Sequence, residues 1–144
     1  MRTQPQDIIA RLEADNSRLA KEAILNEAME EGLDEFFEGL VMSLDKLYTF
    51  GVQKVPTKEQ EGGQGLSWAN FVELAEALRK RELTGHAARD AIELAMGVAT
   101  QEQWNGWYRR ILIKDMRAGF GEKSVNNVAK KAKKAQYKIP VFEC

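Results

Sequence analysis

Lys114-Asp115-Met116-Arg117-Ala118-Gly119-Phe120-Gly121-Glu122-Lys123-Ser124-Val125-Asn126-Asn127-Val128 reads as the end of one helix, a turn with two glycines and the start of another. Cationic side chains flank the turn on both sides. The first N–H groups of a helix lack intrahelical acceptors and carry the positive end of its macrodipole, so a helix start accepts anions. Gly119 and Gly121 carry no Cβ, which lets a sugar–phosphate chain come close to the backbone. A helix–turn–helix segment of this kind is built to grip phosphates.

Working outward, the rest of the chain also follows helical spacing. Pro5 suits a first helical turn, and Ile8, Ile9 and Leu12 form a short apolar stripe behind it. Asn16 or Ser17 caps a second helix with Leu19, Ala23, Ile24 and Ala28 on its apolar face and Gly32 as its stop. Phe36, Phe37, Leu40, Val41 and Leu44 mark a third. Ser67 caps a fourth, which buries Trp68, Phe71, Val72, Leu74, Ala75 and Leu78 and ends in Arg79-Lys80-Arg81. Thr84 caps a fifth that stops at Gly97. Thr100 and Gln103 form a capping box for a sixth, which carries Trp104, Trp107, Tyr108, Ile111 and Leu112 and runs to Ala118. The seventh spans residues 124–134. The fold class is therefore all-α, a single domain of about seven helices.

Residues 47–66 break the pattern. Tyr48, Phe50 and Val52 alternate and Pro56 ends the run, so this part reads as extended or irregular chain. Thr57 to Gly65 reads as a mobile, glycine-rich loop. The α-helical domain is assigned to residues 1–134, and residues 135–144 read as extended chain again.

The net charge of −1 conceals a polar distribution. Residues 1–78 sum to −8, residues 79–102 to zero and residues 103–144 to +7. A polyanion would meet the basic end rather than the average. The alternative is that the two halves neutralise each other within the fold. No apolar run is long enough to span a membrane, and Met1-Arg2-Thr3-Gln4 lacks a signal-peptide core. A single cysteine, Cys144, excludes an internal disulfide and fits a reducing, cytoplasmic setting.

Catalytic patterns are missing from the sequence. One histidine, His86, with no cysteine pair gives no zinc site of the usual kind. There is no glycine-flanked serine elbow and no Gly-x-x-x-x-Gly-Lys-Ser/Thr loop. Glu30, Glu31, Asp34, Glu35 and Glu38 read as a solvated helix face. Trp104, Trp107 and Tyr108 could stack on bases, but their spacing with Ile111 and Leu112 is that of a buried face.

The basic residues carry the signal. Arg109, Arg110, Lys114 and Arg117 belong to the sixth helix, and Lys123, Lys130, Lys131, Lys133 and Lys134 to the seventh or the turn before it. The candidate phosphate-binding set around the glycine turn is Lys114, Arg117, Gly119, Gly121, Lys123, Ser124, Asn126, Asn127, Lys131 and Lys134. A second set, Lys80, Thr84, Gly85 and His86, joins basic residues to another helix start, and two such turns on one surface could clamp both strands of a duplex. Neither set offers side chains arranged to read base edges, so backbone and minor-groove contacts with little sequence preference are expected.

Three ordered segments resemble one family. Asp7-Ile8-Ile9 through Ser17-Arg18 to Lys21-Glu22-Ala23-Ile24-Leu25, then Leu83-Thr84-Gly85-His86-Ala87-Ala88, then Arg110-Ile111-Leu112 with Lys114-Asp115-Met116-Arg117, Gly119 and Lys123-Ser124-Val125-Asn126, are similar to the N-terminal DNA-binding domain of phage-type ATP-dependent DNA ligases. Val52-Gln53-Lys54-Val55-Pro56 also has a counterpart there. The resemblance implies an all-α, monomeric domain that holds nicked double-stranded DNA through its minor groove in replication, repair and recombination, in the host cytoplasm for a viral protein. It implies a following nucleotidyltransferase domain, reached through residues 135–144, whose Lys-x-Asp-Gly lysine takes AMP from ATP with Mg²⁺. This chain has no Lys-x-Asp-Gly, so by itself it is expected to bind DNA without a cofactor or metal and without sealing activity. The competing reading is a protein-interaction domain that docks a basic partner on the acidic face of residues 27–38.

Overall fold

The structure is a computed structural model, and it describes residues 4–45, 48–52, 55–116, 118–134 and 137–139. Arg117, assigned to the phosphate-binding set, lies outside the described residues, as does most of the expected linker at 135–144. Seven helices, and no strand, occur among the described residues. They are α1 (Pro5–Ala14), α2 (Arg18–Glu31), α3 (Asp34–Leu44), α4 (Trp68–Arg79), α5 (Gly85–Val98), α6 (residues 101–112) and α7 (Glu122–Ala132). The all-α, single-domain expectation holds. No helix among the described residues is long and apolar enough to cross a membrane.

Several boundaries follow from local chemistry. Pro5 occupies the first turn of α1. The Ser17 hydroxyl accepts the Ala20 N–H at 3.4 Å to start α2, and Gly32, at φ +71°, closes it by donating to Ala28 and Met29 carbonyls. Both arms of the Thr100–Gln103 capping box form at 3.1 Å. Other boundaries differ from the sequence reading. Thr84 precedes α5 but its side chain makes no capping bond, and α5 passes through Gly97 to Val98. The buried face of α2 is Lys21, Leu25, Ala28 and Met29, because these residues meet its packing neighbours α1 and α7, whereas Leu19 is 79% exposed and Ala23 is exposed.

The sixth helix ends at Leu112 rather than Ala118. Lys114 takes a left-handed φ of +57°, its N–H donates to Ile111 O at 3.0 Å, and the Asp115 N–H reaches Arg110 O at 3.0 Å. These two bonds satisfy the last carbonyls and turn the chain away. The seventh helix accordingly begins two residues earlier than expected and ends at Ala132, with Lys133 at φ +59° as its cap.

The core is aromatic at its centre. Trp107 stacks on Phe36 at 5.4 Å between centroids and on Trp68 at 6.2 Å, and Phe71 stacks on Tyr108 at 4.4 Å. Trp104, Trp107, Tyr108, Ile111 and Leu112 are all buried, as their spacing predicts. Trp104–Tyr108 forms a π turn inside α6, packed against α1, and it was not visible in the apolar spacing. Burial of each large aliphatic or aromatic side chain contributes about 1.5–3 kcal/mol.

The irregular segment is held rather than mobile. Lys58 donates through Nζ to the carbonyls of Met96 (2.9 Å), Gly97 (3.3 Å) and Ala99 (2.6 Å), so it caps the end of α5. Its backbone pairs with the Asn105 side chain at 2.8 Å in both directions. Trp104 Nε1 donates to Pro56 O at 2.8 Å, Arg109 Nε to Val55 O at 2.7 Å and the Tyr108 hydroxyl to Leu66 O at 2.6 Å. The loop lacks regular structure because α6 side chains, rather than a neighbouring strand, satisfy its polar backbone. Burial also pushes the Tyr108 hydroxyl up to about 12.

Candidate nucleic-acid interface

The connection between α6 and α7 is fastened from below by three cations. Lys114 Nζ donates to Met42 O at 3.0 Å, to Asp45 O at 2.6 Å and to Tyr48 O. It therefore caps α3 and ties it to the start of the irregular segment. Partial burial lowers the Lys114 ammonium from its ordinary value, and the nearby Asp45 carboxylate partly offsets this. Arg110 Nη1 donates to Met116 O at 2.9 Å, Nε to Asn105 O at 3.1 Å, and Nη2 pairs with Glu13 at 3.1 Å. Lys21 Nζ donates to Leu12 O at 2.5 Å and to Ala118 O at 2.6 Å. The turn is thus set in place by side chains from α2 and α6 and by its own first lysine.

Above this base, Gly119 is exposed at φ +70°, where an L side chain is strained. Gly121 precedes α7, and no side chain caps that helix. A Cβ at Gly121 would meet nothing within 4 Å, so the helix start opens to a large approaching group. Ser124 is half-buried, and its N–H reaches Gly121 O at 3.1 Å. Val125, Val128 and Ala129 are buried toward α2. Lys123, Asn127 and Lys130 are exposed on the opposite face at i, i+4 and i+7. Lys131 is exposed too and lies 3.5 Å from Glu22 Oε1, a surface pair worth about 0–1 kcal/mol that an external anion can displace. Lys134 is half-buried, and its N–H bonds Ala129 O at 2.8 Å.

Asn126 points inward. Its side chain donates to Ile139 O at 3.1 Å and accepts the Ile139 N–H at 2.6 Å, so it anchors the chain beyond α7. Asn126 and Lys114 therefore serve the fold, while Gly119, Gly121, Lys123, Asn127 and Lys131 share one turn-and-helix surface.

The second set lies at the α4–α5 turn. Arg79 pairs with Glu76 at 2.8 Å and lies over the Tyr48 ring at 5.0 Å. The Arg79 guanidinium, then the Tyr48 hydroxyl, hold the Glu76 carboxyl below its usual value. Tyr48 is raised to about 12, first by burial and then by its bond to Glu76. Arg81, at φ +62°, donates to Leu78 O at 2.9 Å and Thr49 Oγ1 at 3.2 Å. The neighbouring Lys80, Thr84, Gly85 and His86 are exposed, and a Cβ at Gly85 would meet nothing within 4 Å. Of the basic run Arg79-Lys80-Arg81, Lys80 is thus the member whose side chain remains on the outer surface.

Lys21 was missed by the sequence reading, although its spacing to Leu25 and Ala28 places it on the inner face of α2. Among the described residues, no group of three or more His, Cys, Asp or Glu side chains could hold a metal ion. No family model matches the chain, and no curated protein matches it. Two solved chains do: Pmar-Lig_PreS3 and Pmar-Lig_Pre, each 55% identical with a TM-score of 0.95. Each match covers 99% of this chain and 33% of the other, so the chain spans a third of their length. The likeness marks it as a ligase-related domain.

Proposed function

We propose that this chain is the non-sequence-specific DNA-binding domain of an ATP-dependent DNA ligase and holds nicked duplex through phosphate and minor-groove contacts. The observation that carries the reading is the α7 surface: Lys123, Asn127 and Lys130 face away from the core beside an exposed glycine turn and an uncapped helix start. Its likeness to ligase chains three times its length supports a larger enzyme around it. Such an enzyme would seal nicks in replication, repair or recombination in the cytoplasm, a host cytoplasm for a phage enzyme. A nucleotidyltransferase domain of that enzyme would use ATP and Mg²⁺, while this domain acts as a cofactor-free monomer.

Lys123, Lys131 and Lys134 would set the field along one strand, with Gly119, Gly121, Ser124 and Asn127 close to its backbone. Lys80, Thr84, Gly85 and His86 would form a second contact. The rival docking role for the acidic face is less well supported. Glu27 pairs with Arg11 at 3.0 Å, Asp34 accepts the Tyr137 hydroxyl at 2.6 Å, and Glu38 accepts Trp68 Nε1 at 2.8 Å. Those three carboxylates already serve internal contacts.

The test is fluorescence anisotropy of a labelled nicked duplex across a salt series. Micromolar or tighter binding that weakens with salt at about 0.9 per phosphate contact supports the reading. Absence of binding at low salt, with the protein folded by circular dichroism, sinks it.

A further inference from the structure

Lys21 is 7% exposed, yet it carries an ammonium. A buried charge is costly unless hydrogen bonds compensate it. Here the acceptors are Leu12 O near the end of α1 and Ala118 O in the glycine turn, 97 residues away in sequence. The described chain has no cis peptide, so the Gly119 N–H is antiparallel to the Ala118 carbonyl. Anchoring that carbonyl inward aims the Gly119 N–H outward, on a residue that is itself exposed. The backbone also lies directly on the ammonium, since a Cβ on Gly119 would stand 3.3 Å from Nζ.

We infer that Lys21 is a positioning residue for phosphate recognition: it clamps the Ala118–Gly119 peptide so that the Gly119 N–H faces a phosphate, and it fixes a positive charge behind that peptide. The inference rests on the DNA-binding reading and assigns one mechanism within it. A cation held in a poorly solvated place acts on a nearby anion more strongly than one on a flexible surface side chain. It also removes the ordering cost that a loose turn would incur on binding.

The experiment compares the wild type with Lys21→Met by anisotropy on the nicked duplex and by ¹⁵N–¹H spectra, below the melting temperature of both. The expected result is a dissociation constant raised about tenfold, equal to 1.4 kcal/mol. The Gly119 amide, which shifts on DNA addition in the wild type, should no longer do so. The salt slope should stay the same, because no phosphate contact is removed; a slope lowered by about 0.9 would make Lys21 a direct contact and overturn the positioning role. An affinity within about twofold of the wild type would overturn it as well. If Lys21→Met does not fold, Lys21→Gln, which keeps one donor for Ala118 O, is read by the same criteria. If the wild type itself binds no DNA, the functional reading fails separately, and hydrogen exchange then tests the clamp: faster Gly119 exchange in the variant supports it, and unchanged exchange overturns it.

Discussion

Lys114 places its ammonium 3.0 Å from the carbonyl of Met42, a residue 72 positions earlier, so the first cation of the glycine turn points into the protein. With Asp45 O and Tyr48 O it closes the C-terminal end of α3. Its left-handed backbone carries strain of about 1–3 kcal/mol, which these bonds offset. Lys114→Met should therefore act on stability. A loss of about 1–3 kcal/mol is expected in urea denaturation, from carbonyls left without a donor. DNA affinity of the folded fraction should keep its salt slope; a slope reduced as by loss of a phosphate contact would contradict the inward role.

Lys123 and Lys80 should behave in the opposite way. Both are exposed, and neither is part of the network beneath the turns. Lys123→Glu or Lys80→Ala should leave stability within about 0.5 kcal/mol. Each should lower affinity for any duplex sequence, with the salt slope falling by about 0.9 per lost contact. A double variant retaining full affinity at moderate salt would remove both turns from the interface.

How far these roles could be read in advance depended on the range of the interactions. Gly32 and the Thr100–Gln103 box were legible because their partners lie within four residues. The buried stripe of α6 was legible because five large apolar residues recur at helical spacing. Lys21, Lys114 and Asn126 were not, since their partners are backbone groups of other elements and no composition pattern marks a carbonyl. Local clues also misled at Leu19, an apolar residue left 79% exposed while a lysine two positions on turns inward. The extent of α6 depended on Lys114 adopting a conformation usually left to glycine.

Gly39 illustrates a constraint set by packing alone. A Cβ there would lie 2.3 Å from Cζ2 and 2.6 Å from Cη2 of Trp107, and 3.0 Å from Ile111 Cδ1. Trp107 is 1% exposed and stacked on both sides, so it has no room to move. Gly39→Ala adds helix propensity but should still destabilise by about 1–3 kcal/mol through overpacking. Thermal unfolding reports the sign. A raised melting temperature would mean that α3 can slide away from α6 at little cost.

Glu76 supplies a pH dependence whose direction is set by its partners. The Arg79 guanidinium and the Tyr48 hydroxyl favour its ionised form, so its native pKa lies below the unfolded value of 4.5. In acid the unfolded chain then binds the proton first, and stability falls with falling pH. The contribution is complete above the unfolded value and disappears as pH drops through the lowered native one. Glu76→Gln should remove this part of the acid slope while also weakening the tie between α4 and the Tyr48 segment. The check is the urea midpoint of both proteins from neutral pH down into the acid limb. The wild-type advantage should be constant above pH 4.5 and shrink below it; an advantage that persists undiminished in acid would show that Arg79 and Tyr48 do not favour the carboxylate.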